Sequence, residues 1–166
     1  MTRIGLLSDT HSYWDEKYLK YFAECDEVWH AGDIGSDEIA DKFEAFRTFR
    51  AVSGNIDGTT LKTRYPVFQI FEVEGIKVVM THIGGYPGRY HTTIPQLLDN
   101  EKPNIFISGH SHILKVMNDK QRGILHINPG AAGRYGYQKV RTIVRFKIDG
   151  NNIDDLEVIE IGSSPG

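Results

Sequence analysis

Aspartates, histidines and one asparagine recur along this 166-residue chain in short polar segments, namely SDTH, AGD, SGN, TH and ISGHSH. Carboxylate, amide and imidazole donors without a thiolate suit borderline divalent metals. In two-metal hydrolytic enzymes the ions usually lie about 3.5 to 4 Å apart. If one carboxylate binds both ions, seven donor residues are enough to give each ion four ligands. Asp33 is our candidate for that bridge. The seven candidate metal ligands are Asp9, His11, Asp33, Asn55, His82, His110 and His112.

The hydrophobic pattern predicts the elements that must position these side chains. In the first third, strands at 3–8, 27–30 and 49–53 alternate with helices at 15–25, carrying Cys25, and around 37–46, which Ser36 can cap. Tyr18, Leu19, Phe22 and Ala23 are expected on the apolar face of the first helix. Further on, the pattern predicts a hairpin of 67–73 and 76–81, a Gly/Pro-rich loop, a short helix at 94–100, and strands at 105–108, 114–117, 124–127, 140–148 and 153–161.

This order of elements indicates an α/β fold of two mixed β-sheets packed as a sandwich, with helices on the outer faces, and one domain over residues 1–166. Each polar segment follows a predicted strand, and loops at strand ends converge on one crevice in such sheets. Glycine precedes Asp33, Asn55 and His110, as a crowded site requires. In an extended strand, His110 and His112 would project to the same side; a turn after Ser108 can aim them at different ions.

Composition narrows the class of partner. The net charge of −3 with interspersed signs offers no basic stripe for long nucleic acid and no lysine run for a membrane surface. The single cysteine, Cys25, and a start at MTRIGLL without a signal-peptide pattern favour the cytoplasm. A P-loop and a hydrolase elbow are both missing from the sequence, and a TIM barrel typically needs about 250 residues.

The polar segments resemble, in chain order, the D-x-H, G-D, G-N-H-[DE], lone His and G-H-x-H motifs of the calcineurin-like metallophosphoesterases, here with Ile56 in the third motif. An Asn128-Pro129-Gly130 turn is similar to the NPGS segment of the small YfcE-like phosphodiesterases, so the resemblance covers residues 1 to about 135. It implies the metallo-dependent phosphatase fold. It also implies that one metal takes Asp9, His11, Asp33 and His112, and the other Asp33, Asn55, His82 and His110.

Two positions depart from the family pattern. Ile56 stands where many members have a histidine thought to protonate the leaving group, and isoleucine cannot donate a proton. The YfcE-like members also tend to lack this histidine. Ala131 stands where NPGS has serine. Water or His91 is then our hypothesis for leaving-group protonation.

Other polar residues receive structural interpretations. Asp57 is expected to brace the Asn55 loop. His30, His91 and His126 are expected to be satisfied core or surface residues, although His30 can orient a ligand from outside the metal shell. The 84–91 loop is either an ordinary surface turn or a route by which Arg89, Tyr90 or His91 reaches a substrate.

The chemistry expected of this site is hydrolysis of a small phosphate ester. Two divalent ions outweigh two carboxylates and a bridging hydroxide, so the cationic centre draws in a phosphoryl group for in-line attack by that hydroxide. Asn55, Asp33 and His82 are the expected catalytic residues. The donor set favours manganese, with iron, zinc, nickel or cobalt as alternatives. Only the YfcE-like resemblance favours diesters.

The alternative function is a protein-interaction scaffold, as in the retromer subunit that shares this fold with a degraded metal site; the intact ligand set favours an enzyme. A nuclease acting on a small nucleotide diester stays open, and so does a homo-oligomer.

Overall fold

Two five-stranded sheets form the framework of the protein, whose computed structural model describes residues 1–164. In the first sheet the strand order is β12-β11-β1-β2-β3, with the last three strands parallel and β11 and β12 antiparallel. Its strands are β1 (Thr2–Leu7), β2 (Glu27–His30), β3 (Thr48–Ala51), β11 (Val140–Asp149) and β12 (Asn152–Ser163).

The second sheet has the order β4-β5-β8-β10-β9, with three parallel central strands and an antiparallel strand at each edge. Its strands are β4 (Phe68–Val73), β5 (Ile76–Thr81), β8 (Ile105–Ile107), β9 (Lys115–Asp119) and β10 (Ile124–Asn128). A separate hairpin joins β6 (Gly85–Tyr86) to β7 (Arg89–Tyr90), and the helices are α1 (Lys17–Tyr21), α2 (Asp37–Phe46), α3 (Thr59–Arg64) and α4 (Ile94–Glu101).

Side-chain alternation along the strands assembles the sandwich. In β1, Ile4 and Leu6 enter the core between the two sheets, whereas Leu7 faces the helical side with Phe22 and Phe43. The outer face of the second sheet is covered by α4, whose Ile94 and Leu98 pack with Val79 and Phe106. The predicted α/β sandwich with outer helices is confirmed, and the predicted strands agree with the observed ones within two residues.

The first helix is shorter than the sequence pattern predicts. It ends at Tyr21, because the amide of Asp26 donates to the carbonyl of Arg3 and draws the chain into the strand pairing of β1 with β2. Cys25 therefore lies beyond the helix, where it is buried. Of the four residues expected on the apolar face, Tyr18 and Phe22 are buried, Leu19 is half-buried and Ala23 is exposed.

Three further local features differ from the prediction. Ser36 occupies the N-cap position of α2, but its side chain makes no capping hydrogen bond. The short helix α3 carries only one buried residue, Leu61, so it has no apolar periodicity to reveal it. The 84–91 loop contains the β6–β7 hairpin.

His126 is a buried neutral histidine on β10, as its structural interpretation requires. Its Nδ1 lies 3.0 Å from the carbonyl of Phe106, and its ring stacks on Phe106 at 5.3 Å. Burial lowers the pKa of His126 to about 4. The unfolded chain, with an ordinary histidine pKa of about 6.5, therefore binds more protons than the folded chain between these two values.

We expect His126 to make the metal-free protein less stable as the pH falls from 7 to 5. This residue should remove about 2 kcal/mol from the free energy of unfolding over that range. A His126→Gln variant should lose correspondingly less, as measured by urea unfolding at both pH values. The histidines among the candidate metal ligands are present in both proteins, so their effect cancels in the difference. An exposed control, His91→Gln, should follow the wild type; equal pH dependence in all three would contradict the assignment.

Candidate metal centre

All seven predicted ligand residues converge at one end of the sandwich, where five strands terminate. The loops after β1, β2 and β3 contribute the residues of the first sheet, and the loops after β5 and β8 contribute those of the second. The first sheet supplies Asp9, His11, Asp33 and Asn55, and the second supplies His82, His110 and His112.

Six of these side chains form two groups. Asp9, His11 and His112 make one, and Asp33, His82 and His110 make the other; within each group the potential ligand atoms lie within 4.8 Å of one another. The seventh residue joins the second group, because Asn55 Oδ1 lies 3.0 Å from His110 Nδ1. His110 and His112 thus belong to different groups, as their spacing and the glycine before them led us to expect.

Asp33 lies between the two groups. Its Oδ2 is 3.3 Å from His11 Nε2 and 3.1 Å from His82 Nε2. Its Oδ1 accepts a hydrogen bond from the amide of Ile56 at 3.0 Å, which fixes the carboxylate plane. One oxygen of Asp33 therefore faces both groups and could bridge two ions.

Buried polar atoms without hydrogen-bond partners concentrate here. Among the described residues, the five such atoms include Asp9 Oδ1, His11 Nε2 and His82 Nε2. The other atoms of these groups are occupied: Asp9 Oδ2 accepts from the Ser8 hydroxyl at 2.6 Å, and His82 Nδ1 is 2.8 Å from the Ala31 carbonyl. Leaving a buried polar atom unsatisfied costs about 1 to 3 kcal/mol, and divalent ions would supply the missing partners. The residues present therefore fit a pair of metal ions.

The neighbouring imidazoles favour the ionised form of both carboxylates, Asp9 and Asp33. Burial alone would raise the pKa of Asp9 and of Asp33, but adjacent imidazoles outweigh it and keep both pKa values below their usual range. Burial would likewise lower the pKa of His11, but Asp33 and Asp9 raise it to about 9. Both carboxylates are thus ionised at neutral pH, in the state that ligates a metal.

Backbone strain also collects at these positions. Among non-glycine residues, the left-handed region is sparsely populated and typically costs 1 to 3 kcal/mol, and such outliers cluster at functional sites. Five of the seven candidate ligands occupy it: Asp9 (φ 56°), His11 (φ 43°), Asp33 (φ 54°), His110 (φ 71°) and His112 (φ 63°).

The preceding glycines have the crowded surroundings expected of them. Gly32 has a φ of +101°, and a Cβ on it would lie 2.6 Å from His82 Nδ1. A Cβ on Gly54 would overlap both the backbone nitrogen and the Oδ1 of Asp33. A Cβ on Gly109 would lie 2.9 Å from Asp9 Oδ2. Glycine is required where these loops meet.

Asp57 braces two loops of the centre, as predicted. Its carboxylate accepts hydrogen bonds from the amides of Gly54 at 2.8 Å, Gly35 at 2.9 Å and Ile34 at 3.3 Å. Asp57 is only 3% exposed, so these backbone amides, rather than water, provide the hydrogen bonds to its carboxylate. The loop of Asn55 is thereby tied to the loop of Asp33.

His30 supports the site without facing it. Burial lowers the pKa of His30 to about 3, so the imidazole is neutral. Its Nδ1 accepts from the amide of Gly32 at 3.1 Å, and its Nε2 donates to the Thr10 hydroxyl at 3.0 Å. The histidine thus connects the backbone on either side of the metal centre, which is the supporting role considered for it.

Gln138 is a site residue that the sequence motifs did not reveal. Its Nε2 donates to the carbonyls of Tyr135 at 2.8 Å and Gly133 at 3.3 Å, so its Oε1 accepts from His112 Nδ1 at 2.9 Å. With Nδ1 held by Gln138, Nε2 is the ring nitrogen of His112 that faces Asp9 Oδ1, 3.1 Å away. Gln138 lies 26 residues beyond His112 with no motif around it, so no sequence signal indicated it.

Asn128 holds the histidine turn in place. Its Nδ2 donates to the Gly109 carbonyl and to the Ser111 hydroxyl, both at 3.1 Å, while its Oδ1 accepts from the amide of Gly130. The NPG segment therefore acts through its asparagine. Ala131 is buried at 1% exposure, with no room for a substrate at its side chain.

The centre opens into a cleft of about 550 Å³. Its outer wall is apolar and aromatic, with Ile56, Ile113, Tyr135 and Tyr137 among the lining residues. The ring of Tyr135 stacks on that of His11 at 4.7 Å. A substrate entering here would meet the candidate ligands at the floor and apolar groups at the rim.

No helix within residues 1–164 has the length and apolarity needed to cross a membrane.

The family model and a sequence relative agree on one family. Residues 2–151 match the family model of the calcineurin-like phosphoesterase superfamily domain. A probable metallophosphoesterase of Mycoplasma pneumoniae is 33% identical over 94% of this chain and 96% of its own length.

Solved structures agree in fold. A protein described as a novel archaeal phosphodiesterase superposes with a TM-score of 0.72 at 23% identity, covering 96% of this chain and 99% of its own. Vps29 of Entamoeba histolytica complexed with Zn²⁺ superposes with a TM-score of 0.75 at 15% identity, covering 96% and 98%. At these identities the likeness is one of fold. Since the family model spans nearly the whole chain, this protein belongs to the calcineurin-like phosphoesterase superfamily.

Proposed function

We propose that this protein is a dinuclear phosphodiesterase of the YfcE-like branch that hydrolyses a small phosphodiester by in-line attack of water. The observation that carries the proposal is the set of buried atoms without hydrogen-bond partners, Asp9 Oδ1, His11 Nε2 and His82 Nε2, in two adjoining groups. Asp9, His11, Asp33 and His112 would hold one ion, and Asp33, Asn55, His82 and His110 the other. When bound, two divalent ions supply Lewis acidity toward the phosphoryl oxygens and activate water.

The chain's own residues orient the reaction. The Ile56 amide holds Oδ1 of Asp33, so the other carboxylate oxygen, Oδ2, stays directed at both groups of ligands. Asn55 is exposed in the cleft and turns its Oδ1 toward His110, so its Nδ2 is available to donate to a phosphoryl oxygen. His82 is held at Nδ1 by the Ala31 carbonyl, so Nε2 is the ring nitrogen that faces Asp33.

Manganese is the metal we propose, since the donors are oxygen and imidazole; iron, zinc, nickel and cobalt are the competitors. A small diester, rather than long nucleic acid, suits a cleft of about 550 Å³ on a chain of net charge −3. The buried free thiol of Cys25 suits a reducing compartment such as the cytoplasm. The family match over 2–151 supports a single domain spanning residues 1–166.

Metal removal and replacement test this function. Chelated protein should lose hydrolysis of bis(4-nitrophenyl) phosphate, and adding back Mn²⁺, Fe²⁺, Zn²⁺, Ni²⁺ or Co²⁺ singly should restore it, with Mn²⁺ best. Metal analysis should find about two ions per chain. No stimulated hydrolysis of any aryl diester by any ion would contradict the proposal. That outcome would favour the scaffold function, for which the observation is the superposition on Vps29.

Replacing Ile56 by histidine should increase the rate for poor leaving groups. Ile56 is 47% exposed in the cleft, beside Asp33 and unable to donate a proton. We expect Ile56→His to raise kcat/KM for an aryl diester with a phenol leaving group by about 10²-fold, with little change for 4-nitrophenol, because only the poorer leaving group needs protonation. Ile56→Gln is the control for polarity alone. Equal gains for both leaving groups would contradict this role, and a further loss for phenol in His91→Ala would assign the wild-type proton to His91.

A further inference from the structure

One of the cavities beside the cleft also adjoins the candidate metal centre. It has a volume of about 230 Å³ and shares His110 and Ser111 with the metal cleft. Arg89 and Lys115 line it. A molecule bound at His110 can therefore extend directly into this cavity.

The two cations of this cavity lack counter-charges. Neither Arg89 nor Lys115 forms a salt bridge within the described part of the chain, whereas Arg50, Arg64 and Arg122 each pair with carboxylates. The Lys115 ammonium lies 4.2 Å from the ring centre of Tyr86, a cation–π contact with an uncharged partner. No aspartate or glutamate lines the cavity.

Arg89 is carried by a hairpin anchored at both sides. The Ser108 hydroxyl donates to the Gly85 carbonyl at 3.0 Å, which ties β6 to the strand end that leads into His110. On β7, the Tyr90 hydroxyl donates to Asp119 Oδ2 at 2.8 Å, so Tyr90 is turned away from the cavity. Of the three loop residues considered as substrate contacts, Arg89 and His91 line the cavity.

The metal cleft has a contrasting lining. It contains Ile56, Ile113, Tyr135 and Tyr137, and no lysine or arginine among its described residues. A diester held at the centre with one arm in the cleft and the other in this cavity would therefore meet apolar and aromatic groups on one arm and cations on the other.

Building on the proposed function, we infer that the substrate is a phosphodiester with a second anionic group on one ester arm, a phosphate or a carboxylate, which binds at Arg89 and Lys115. An arginine offers a planar pair of donors and a lysine a point charge, and both groups recognise such oxyanions. The other arm, lying toward Tyr135 and Tyr137, carries an apolar or aromatic group. The second anion thus selects the substrate and fixes which ester bond faces the cleft.

Three 4-nitrophenyl diesters test this inference, with a second arm of phenyl, 4-carboxyphenyl or 4-phosphonophenyl. On the Mn²⁺-loaded protein, we expect at least one anionic arm to raise kcat/KM by about tenfold or more over phenyl, and the better of the two identifies the anion. In Arg89→Ala/Lys115→Ala this ratio should fall toward one. The control Lys20→Ala/Lys120→Ala, which removes two exposed positive charges outside the cavity, should keep the wild-type ratio. Unfolding temperatures and metal contents of both variants verify that they fold and load.

Two outcomes separate failure of the inference from failure of the function. If wild type cleaves the phenyl arm but neither anionic arm is favoured, or if both double variants lose the preference equally, the second-anion site is overturned while the phosphodiesterase stands. If none of the three diesters is cleaved with any ion, the proposed function itself is overturned, and the inference with it.

Discussion

Replacing Asp33 by asparagine is expected to lower metal-dependent phosphodiester hydrolysis by about 10³-fold, the loss of several kcal/mol of transition-state stabilisation. The reason is the position of Asp33 Oδ2, which lies 3.3 Å from His11 Nε2 and 3.1 Å from His82 Nε2. Asparagine preserves the shape and can still accept from the Ile56 amide, but then it directs an uncharged NH₂ group at both groups of ligands. Metal content, measured on purified protein, should drop from about two ions to one or fewer.

A matched control for this variant is Asp15→Asn. Asp15 is also a largely buried carboxylate, with a side chain 14% exposed, but it pairs with Arg141 at 2.9 Å and lines neither the cleft nor the cavities beside the centre. It should keep two ions and near wild-type turnover. If Asp33→Asn retains two tightly bound ions and its activity, Asp33 is not a bridge, and the two groups of ligands act independently.

Replacing Gly54 by alanine is expected to impair the centre although it changes no candidate ligand. The added methyl group would overlap the backbone nitrogen and Oδ1 of Asp33, and a backbone atom cannot move aside as a flexible side chain can. Since a displacement of about 1 Å can cost about 10²-fold in rate, we expect a loss of at least that size. Overpacking should also reduce the free energy of unfolding by about 1 to 3 kcal/mol.

The same loop offers the control for Gly54→Ala. At Gly58, four residues further on, a Cβ would meet nothing within 4 Å. Gly58→Ala carries only the modest cost of alanine at the N-cap of α3, and it should keep its metals and its turnover. Activity, metal content and urea unfolding of the two variants together separate crowding at Asp33 from a general effect of alanine in this loop. Equal behaviour of the two variants would contradict the proposed crowding.

Much of the fold and of the candidate site could be predicted because both depend on local patterns. Strands such as β1 and β8 are short apolar runs that end in polar segments, and the polar segments mark where the chain leaves the sheet. The separate directions of His110 and His112 agree with the turn after Ser108 that Gly109 permits. The bracing by Asp57 followed from its place two residues after Asn55, since aspartate commonly bonds nearby amides.

The remainder depends on contacts between distant residues. Gln138 reaches His112 across 26 residues, and Tyr135 stacks on His11, but neither lies in a recognisable pattern. The end of α1 is set by strand pairing at Arg3, so helical periodicity alone extended it too far. Arg89 and Lys115 line the same cavity, although one lies on the β6–β7 hairpin and the other on the edge strand β9. Two basic residues so far apart in the sequence form no recognisable motif.

The origin of the ligands has a mechanical consequence. Each of the two groups takes members from both sheets: Asp9 and His11 meet His112, and Asp33 meets His82 and His110. An ion in either group would join the two sheets at this end of the sandwich. If the sheets slid against each other, the distance between the ions would change. The packing of apolar core residues between the sheets, such as Leu6 and Ile107, therefore helps to set that distance.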